Sequence, residues 1–165
     1  MSKHVIQTTK GAPPQGAYSQ GWRAGDFIFV TGTGPVDPVT GKLVGDNIER
    51  QTEQTIDNIV SILKAEGASL SDVVKVTVHL STTSLFARYN AVYAKRFSKP
   101  YPVRTTVGSD LGHSPGMLIE IDFSGELLIG CIGCNRWTRD GWLFIQLPEE
   151  ELAALKSAPL REGNE

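Results

Sequence analysis

The chain has 165 residues, of which 40% are hydrophobic and 21% are charged, and its formal net charge at pH 7 is −2. This composition predicts a folded globular protein, and the near-neutral charge argues against nucleic acid or an anionic membrane surface as a partner. Residues 1–10 lack the apolar core of a signal peptide, and no apolar run is long enough to span a membrane, so we expect a cytoplasmic protein.

The first part of the chain alternates short apolar runs with loop signals. A short strand is predicted at 5–7, and the prolines and glycines of 11–16 indicate a loop. The β-branched and aromatic run 26–32 (DFIFVTG) predicts a central strand. The segment 37–41 (DPVTG) has the residues of a tight turn.

Two amphipathic helices are predicted. The first begins near Asp46, which stands three residues before Glu49 in a capping-box spacing, and Gly67 ends it. Its buried stripe recurs at helical spacing through Ile48, Thr52, Ile56, Ile59 and Leu63. The second helix begins after 83–84 and is predicted to bury an aromatic stripe that consists of Phe86, Tyr89, Tyr93 and Phe97.

Three further strands complete the predicted domain. The segment 74–80 alternates apolar and polar residues, as a half-buried strand does. Segments 101–107 and 118–122 are also typical of strands, and the turn residues between them predict a hairpin that would bring Arg104 and Glu120 together. We therefore predict an α+β fold in which a mixed sheet carries both helices on one face.

Arg104 and Glu120 are the residues of this chain best suited to bind a ligand and to catalyse a reaction. A guanidinium fork is a natural anchor for the carboxylate of a small substrate, and a strand-borne glutamate can position and deprotonate water. The alternative is that both side chains lie on a solvated strand face, as most arginines and glutamates do.

Residues 128–165 differ in character and are predicted to form a C-terminal extension of a domain at 1–127. We expect a strand at 142–145 and a short acidic helix at 148–156, with large apolar side chains that dock on the domain or on a neighbouring subunit. Cys131 and Cys134 form an isolated CxxC, which is half of a zinc site. Two extensions together could complete such a site, but we expect reduced cysteines and no bound metal or cofactor.

Four segments in order resemble the Rid family of reactive-intermediate imine deaminases, also called the YjgF family. They are 16–21 (GAYSQG), 29–32 (FVTG) taken with 35–41 (PVDPVTG), 89–93 (YNAVY), and 102–107 (PVRTTV) taken with 119–122 (IEID). No single segment is specific, but together they occur in register over roughly residues 3–126. The extension lies outside the resemblance.

The resemblance implies a homotrimer of chorismate-mutase-like α+β subunits with active sites in the clefts between subunits. It implies hydrolysis of 2-imino acids and their enamine tautomers, such as 2-aminoacrylate and 2-iminobutyrate, to 2-oxo acids and ammonia without a cofactor. Arg104 would hold the substrate carboxylate and Glu120 would orient the water. The pocket would be lined by Tyr18, Thr31, the Thr106 backbone and, from the neighbouring subunit, Phe86.

Three departures from the family pattern leave other functions open. Thr31 replaces a frequent serine, Thr33 and Gly34 replace a glutamine followed by an apolar residue, and the turn through His113 is rebuilt. One alternative is a more specialised catabolic deaminase, for example one acting on 2-aminomuconate. Another is a non-catalytic trimer that binds small carboxylates or partner proteins. A ribonuclease suits the sequence poorly, because the net charge is −2 and no basic aromatic strip or catalytic histidine pair is evident.

Overall fold

The computed structural model describes residues 3–112 and 114–126, which belong to one compact unit, Met1–Leu128. The predicted strand, helix and cysteine pair of the C-terminal extension, and His113, lie outside the described residues. Within the part of the chain that is described, no helix combines the length and the apolar character needed to cross a membrane.

The described strands form one mixed sheet, which consists of β1 (Lys3–Ile6), β2 (Gly21–Ala24), β3 (Phe27–Thr33), β4 (Val73–Leu80), β5 (Val103–Gly108) and β6 (Ile119–Glu126). Their order across the sheet is β1-β2-β3-β6-β4-β5. β4 and β5 pair in parallel, and the other neighbouring strands pair antiparallel.

Both helices pack on one face of this sheet. α1 (Ile48–Lys64) connects β3 to β4, and α2 (Phe86–Arg96) connects β4 to β5. Apolar side chains of both helices and of alternate strand positions form a single core that includes Ile28, Val30, Ile56, Ile59, Val76, Val78, Tyr89, Ile119 and Ile121. The predicted mixed sheet with two helices on one face is therefore confirmed.

The boundaries of α1 follow its capping residues. The helix begins later than predicted, because the Asn47 side chain is the N-cap and accepts a hydrogen bond from the Arg50 N–H at 2.9 Å. Its predicted stop is confirmed: Gly67 has φ of +74°, and the Ala68 N–H donates to the Leu63 carbonyl at 3.0 Å.

The α2 stripe is buried except at its first residue. Tyr89, Tyr93 and Phe97 are buried as predicted, but Phe86 is 43% exposed, so the prediction that it belongs to the core is wrong. Phe86 occupies the first position of α2, where the helix emerges from the 3₁₀ turn Thr83–Leu85. Its ring packs edge-on against Tyr89, with 5.4 Å between ring centres, and the rest of the ring is accessible to solvent.

The predicted hairpin between segments 101–107 and 118–122 is wrong. β6 inserts between β3 and β4, so β4 separates it from β5. The connection 109–118 is long enough to pass the end of β4, whereas a two-residue turn would have made the two strands neighbours. β6 takes the central position because its alternate side chains can all be buried there: Ile119, Ile121 and Phe123.

β2 is absent from the predicted strands, because four residues containing glycine and arginine give little periodic signal. It pairs with β3 through the two-residue turn Gly25-Asp26, in which Gly25 has φ of +60°.

No helix or loop among residues 3–112 and 114–126 covers the sheet face opposite the helices. Its β1–β3 end carries large apolar side chains that are 41–49% exposed: Val5, Trp22, Phe27 and Phe29. We call these four residues the open apolar face. A patch of this kind is typical of an interaction surface.

Candidate active site

A surface depression beside β3 and β6 brings together three of the predicted site residues. Tyr18, Thr31 and Glu120 line it, together with Gln15 and Gly32. Tyr18 is 48% exposed, and its hydroxyl accepts a hydrogen bond from the Gln15 N–H at 2.9 Å. The hydroxyl is thereby fixed to the loop, and the ring forms one wall of the depression.

A β-bulge in β3 shapes this depression. Val30 pairs with Phe123 and Thr33 pairs with Ile121, so three residue steps along β3 lie opposite two along β6. Thr31 and Gly32 therefore have no regular partner on β6. The Thr33 hydroxyl donates to the Thr31 carbonyl at 2.9 Å across the bulge. The Glu120 side chain lies against Gly32: a Cβ at that position would be 2.3 Å from Glu120 Oε1. The position of the carboxylate therefore requires glycine.

Three buried amide side chains hold the loops around the depression: Gln20, Gln51 and Asn58. Gln51 donates to the carbonyl of residue 116 and accepts from the N–H of residue 118, both at 2.8 Å, which fixes the chain just before β6. Asn58 donates to the carbonyls of residues 34 and 36 at 3.0 and 2.8 Å, beyond the end of β3. Gln20 donates to the carbonyls of residues 8 and 12 at 3.0 and 2.8 Å.

These amides are not among the predicted site residues. The sequence does contain a pattern from which the two amides on α1 could have been predicted. Polar residues occur at positions 51, 55 and 58, at steps of four and three, which places them on the buried face of the helix. Buried polar side chains of this kind need internal partners.

Arg104 and Thr106 form a second cluster with α2. The Arg104 Nη2 donates to Asn90 Oδ1 at 2.8 Å. The Arg104 Cζ lies 4.5 Å from the ring centre of Tyr93, 5.3 Å from that of Tyr89 and 5.7 Å from that of Phe86. Within the described residues no carboxylate oxygen lies within 4.0 Å of this guanidinium, whereas other arginines of the domain do pair with carboxylates: Arg23, Arg88 and Arg96.

The two phenols beside Arg104 are uncharged at neutral pH. Burial raises the pKa of Tyr93 to about 12, and burial also raises the pKa of Tyr89. The Tyr89 and Thr106 hydroxyls are hydrogen-bonded at 2.7 Å. The phenols therefore offer ring faces to the guanidinium without neutralising its charge.

Within one chain, Arg104 and Glu120 lie on opposite faces of the sheet. Arg104 pairs with Val76 on one side of β4, and Glu120 pairs with His79 on the other side. Paired residues point to the same face, and Val76 and His79 are an odd number of residues apart on one strand, so they point to opposite faces. The expectation that strand pairing brings Arg104 and Glu120 together is wrong. Phe86 lies in the same chain's Arg104 cluster.

His79 lies beside Glu120 on the sheet face opposite the helices. Its Nδ1 is 2.8 Å from Ser109 Oγ, and its Nε2 is 3.6 Å from Asp122 Oδ2, which is too long for a hydrogen bond. This set therefore lacks the geometry of a nucleophilic triad. Among residues 3–112 and 114–126, no cluster of three or more histidine, cysteine, aspartate or glutamate side chains is placed to hold a metal ion.

Comparison with known proteins identifies the family. Residues 9–126 match the family model described as Endoribonuclease L-PSP, so the chain belongs to this family, the Rid or YjgF family. A RutC family protein of Pyrococcus horikoshii is 45% identical over 121 residues, which cover 73% of this chain and 94% of that protein.

Two further relatives carry the name of a deaminase or of a Rid protein. Reactive Intermediate Deaminase A, chloroplastic, of Arabidopsis thaliana is 42% identical over 106 residues, 64% of this chain and 57% of that protein. The crystal structure of RidA from Psychrobacter sp. PAMC 21119 superimposes with a TM-score of 0.71 at 36% identity, covering 75% of this chain and 99% of that one.

Proposed function

We propose that this protein is a hydrolytic deaminase that converts 2-imino acids and their enamine tautomers, such as 2-aminoacrylate and 2-iminobutyrate, to 2-oxo acids and ammonia. The observation that carries the proposal is the half-buried Arg104 guanidinium, which is held by neutral groups and has no carboxylate partner among the described residues. Such a cation suits bidentate binding of a substrate carboxylate. The Arabidopsis relative's name supports the imine chemistry.

The reaction needs few groups, because an imine carbon is already electrophilic. Water adds to this carbon, one of its protons passes to the Glu120 carboxylate, and the protonated Glu120 gives that proton to the imine nitrogen. The resulting tetrahedral carbinolamine has one hydroxyl and one amino group. Its hydroxyl proton passes through Glu120 to the amino group, the C–N bond breaks as the C=O bond forms, and ammonia and the 2-oxo acid are released. Orientation of a small anion by Arg104 lowers the entropic part of the barrier. Tyr18 and Thr31 border the space around Glu120, and Thr106 lies two residues beyond Arg104 on β5. No step calls for a cofactor.

We also propose that the working form is a homotrimer with its active sites between subunits. The opposite placement of Arg104 and Glu120 supports this assembly, because a complete site would take Arg104 and Phe86 from one chain and Glu120, Tyr18 and Thr31 from another. The open apolar face supplies a surface for the association. Burying the exposed part of one of its aromatic side chains would contribute about 1–2 kcal/mol.

Mixing two inactive variants tests the activity and the assembly together. Arg104→Ala and Glu120→Gln are purified separately, then denatured, mixed in equal amounts and refolded, and ammonia release from freshly generated 2-aminoacrylate is recorded. If each site joins Arg104 of one subunit to Glu120 of another, about a quarter of the sites in randomly mixed oligomers contain both intact residues. Activity should then return to about a quarter of the wild-type activity. Each variant refolded alone is the control.

The outcomes separate the competing functions. Wild-type protein that releases no ammonia from any imine but binds 2-oxo acids would be a non-catalytic carboxylate-binding protein. Wild-type activity with no recovery on mixing would place each site within one chain and contradict the intersubunit proposal. We do not propose RNA cleavage, since Arg23, Arg88 and Arg96 are paired with carboxylates and the net charge is −2.

A further inference from the structure

Among the residues that the structure describes, helix α2 supplies the contacts that restrain the Arg104 guanidinium. Asn90 is half-buried on α2, and it lies between Phe86 and Tyr93 at steps of four and three residues, so the three side chains share one helix face. Asn90 supplies the hydrogen-bond acceptor for the guanidinium, and Tyr93 supplies the nearest ring, 4.5 Å from Cζ. The orientation of the cation is therefore set by α2, although the arginine itself is on β5.

The chemical nature of residue 90 matters as much as its position. An amide oxygen and a carboxylate oxygen would accept the same hydrogen bond in the same place. The carboxylate, however, would form an ion pair with the guanidinium and satisfy the donors that an anionic ligand requires. The amide fixes the fork and leaves its full positive charge. The aromatic rings also leave the charge of the guanidinium available, because their faces stabilise a cation without neutralising it.

We propose that Asn90 is a positioning residue that holds Arg104 in its ligand-binding orientation while leaving its charge available, so that the cluster selects a carboxylate anion. The identity of the substrate rests on the proposed function, but the anion-binding role of the pair does not. In this role Asn90 acts through Arg104 and makes no contact with the reacting atoms.

Two isosteric substitutions separate orientation from charge. Asn90→Leu removes the acceptor and keeps the shape, and Asn90→Asp keeps the acceptor and adds a charge. Lys95→Leu is the matched control, because Lys95 is an exposed residue on the same helix and has no hydrogen bond or ion pair within the described part of the chain. All variants are made in the full chain, and circular dichroism and melting temperature report whether each one folds.

Two readouts are recorded for each protein. The first is kcat and KM for 2-iminopropanoate generated in place by an amino acid oxidase. The second is the Kd of 2-oxobutyrate, an unreactive 2-oxo acid, by titration calorimetry. Because 2-oxobutyrate presents a carboxylate but cannot be deaminated, its Kd measures the anion site even if the protein hydrolyses no imine.

We expect Asn90→Asp to raise KM and the 2-oxobutyrate Kd by about tenfold or more, and Asn90→Leu by about threefold, with smaller changes in kcat. In an Arg104→Ala background, Asn90→Asp should no longer weaken 2-oxobutyrate binding, since the group on which it acts is absent. Lys95→Leu should behave as wild type.

A folded Asn90→Asp variant with wild-type KM and Kd would overturn the proposal. If Asn90→Asp and Asn90→Leu lower kcat, raise KM and lower the melting temperature by equal amounts, the proposal is also overturned, because such a result would assign Asn90 to helix packing alone. If the wild type deaminates nothing but Asn90→Asp still weakens 2-oxobutyrate binding, the proposed function fails and the role of Asn90 stands. A wild type that neither deaminates nor binds 2-oxobutyrate contradicts both.

Discussion

The Glu120 carboxylate occupies space that is open only because residue 32 is a glycine. A Cβ on Gly32 would lie 2.3 Å from Glu120 Oε1 and 2.8 Å from its Cδ. The two residues are on neighbouring strands, β3 and β6, and the bulge in β3 brings the glycine backbone to this position. The placement of the proposed water-binding group thus depends on the residue that faces it from another strand.

We predict that Gly32→Ala displaces Glu120 and lowers kcat by about a hundredfold, because a small displacement of a catalytic group has a cost of this order. The melting temperature should fall only slightly, since the glutamate can turn toward solvent. Steady-state deamination of 2-iminopropanoate and differential scanning calorimetry measure the two effects. Gly108→Ala is the matched control, because its Cβ would meet nothing closer than Thr83 Cγ2 at 3.4 Å. Wild-type turnover in Gly32→Ala would show that the observed Glu120 position is not needed.

Arg104→Lys should retain the fold but raise KM by about ten- to a hundredfold, because a lysine ammonium lacks the bidentate fork and cannot keep the same contact with Asn90. Arg104→Ala should abolish deamination. Arg96→Lys serves as a control, since Arg96 lies on α2 and bridges Glu53 and Asp57 at the surface. Near-normal KM in Arg104→Lys would count against carboxylate clamping by Arg104.

Glu120→Gln should lower kcat by about 10²- to 10⁴-fold and leave KM within a few-fold of wild type, as expected for a group that acts on water rather than on the substrate carboxylate. Ammonia release over a range of imine concentrations separates the two constants. A change confined to KM would assign Glu120 to substrate binding instead.

Phe29→Glu should prevent self-association and thereby abolish activity. Phe29 is 49% exposed on the open apolar face, and a charge there cannot be buried without a partner. Light scattering coupled to size-exclusion chromatography measures the assembly. Val39→Glu is the control, because Val39 is 90% exposed in a turn. A Phe29→Glu variant that is monomeric but fully active would contradict an active site between subunits.

Gln51→Leu should destabilise the domain by about 2–4 kcal/mol, because the Leu118 N–H and the Gly116 carbonyl lose their buried partner. Urea unfolding measures the free energy, with the exposed Gln7→Leu as control. Activity per folded molecule should also fall, since the chain entering β6 would be less well fixed. Unchanged stability would mean that water replaces the Gln51 amide.

Local patterns in the sequence were sufficient to predict most secondary structure. Helix α1 follows from its stripe of Ile48, Ile56 and Ile59, and β4 from its strict alternation, because periodicity reflects which face of an element is buried. The family was likewise readable from four short segments, and the match over residues 9–126 confirms it.

Only the tertiary structure decided which residues meet. The connection 109–118 does not constrain whether β6 lies beside β5 or beyond β4, and the choice depends on burying the apolar face of β6, which carries Ile119, Ile121 and Phe123, against the helices. That choice places Arg104 and Glu120 on opposite faces and sets Gly32 beneath the carboxylate. Strand order and register arise from contacts between distant parts of the chain, which short-range sequence patterns do not encode.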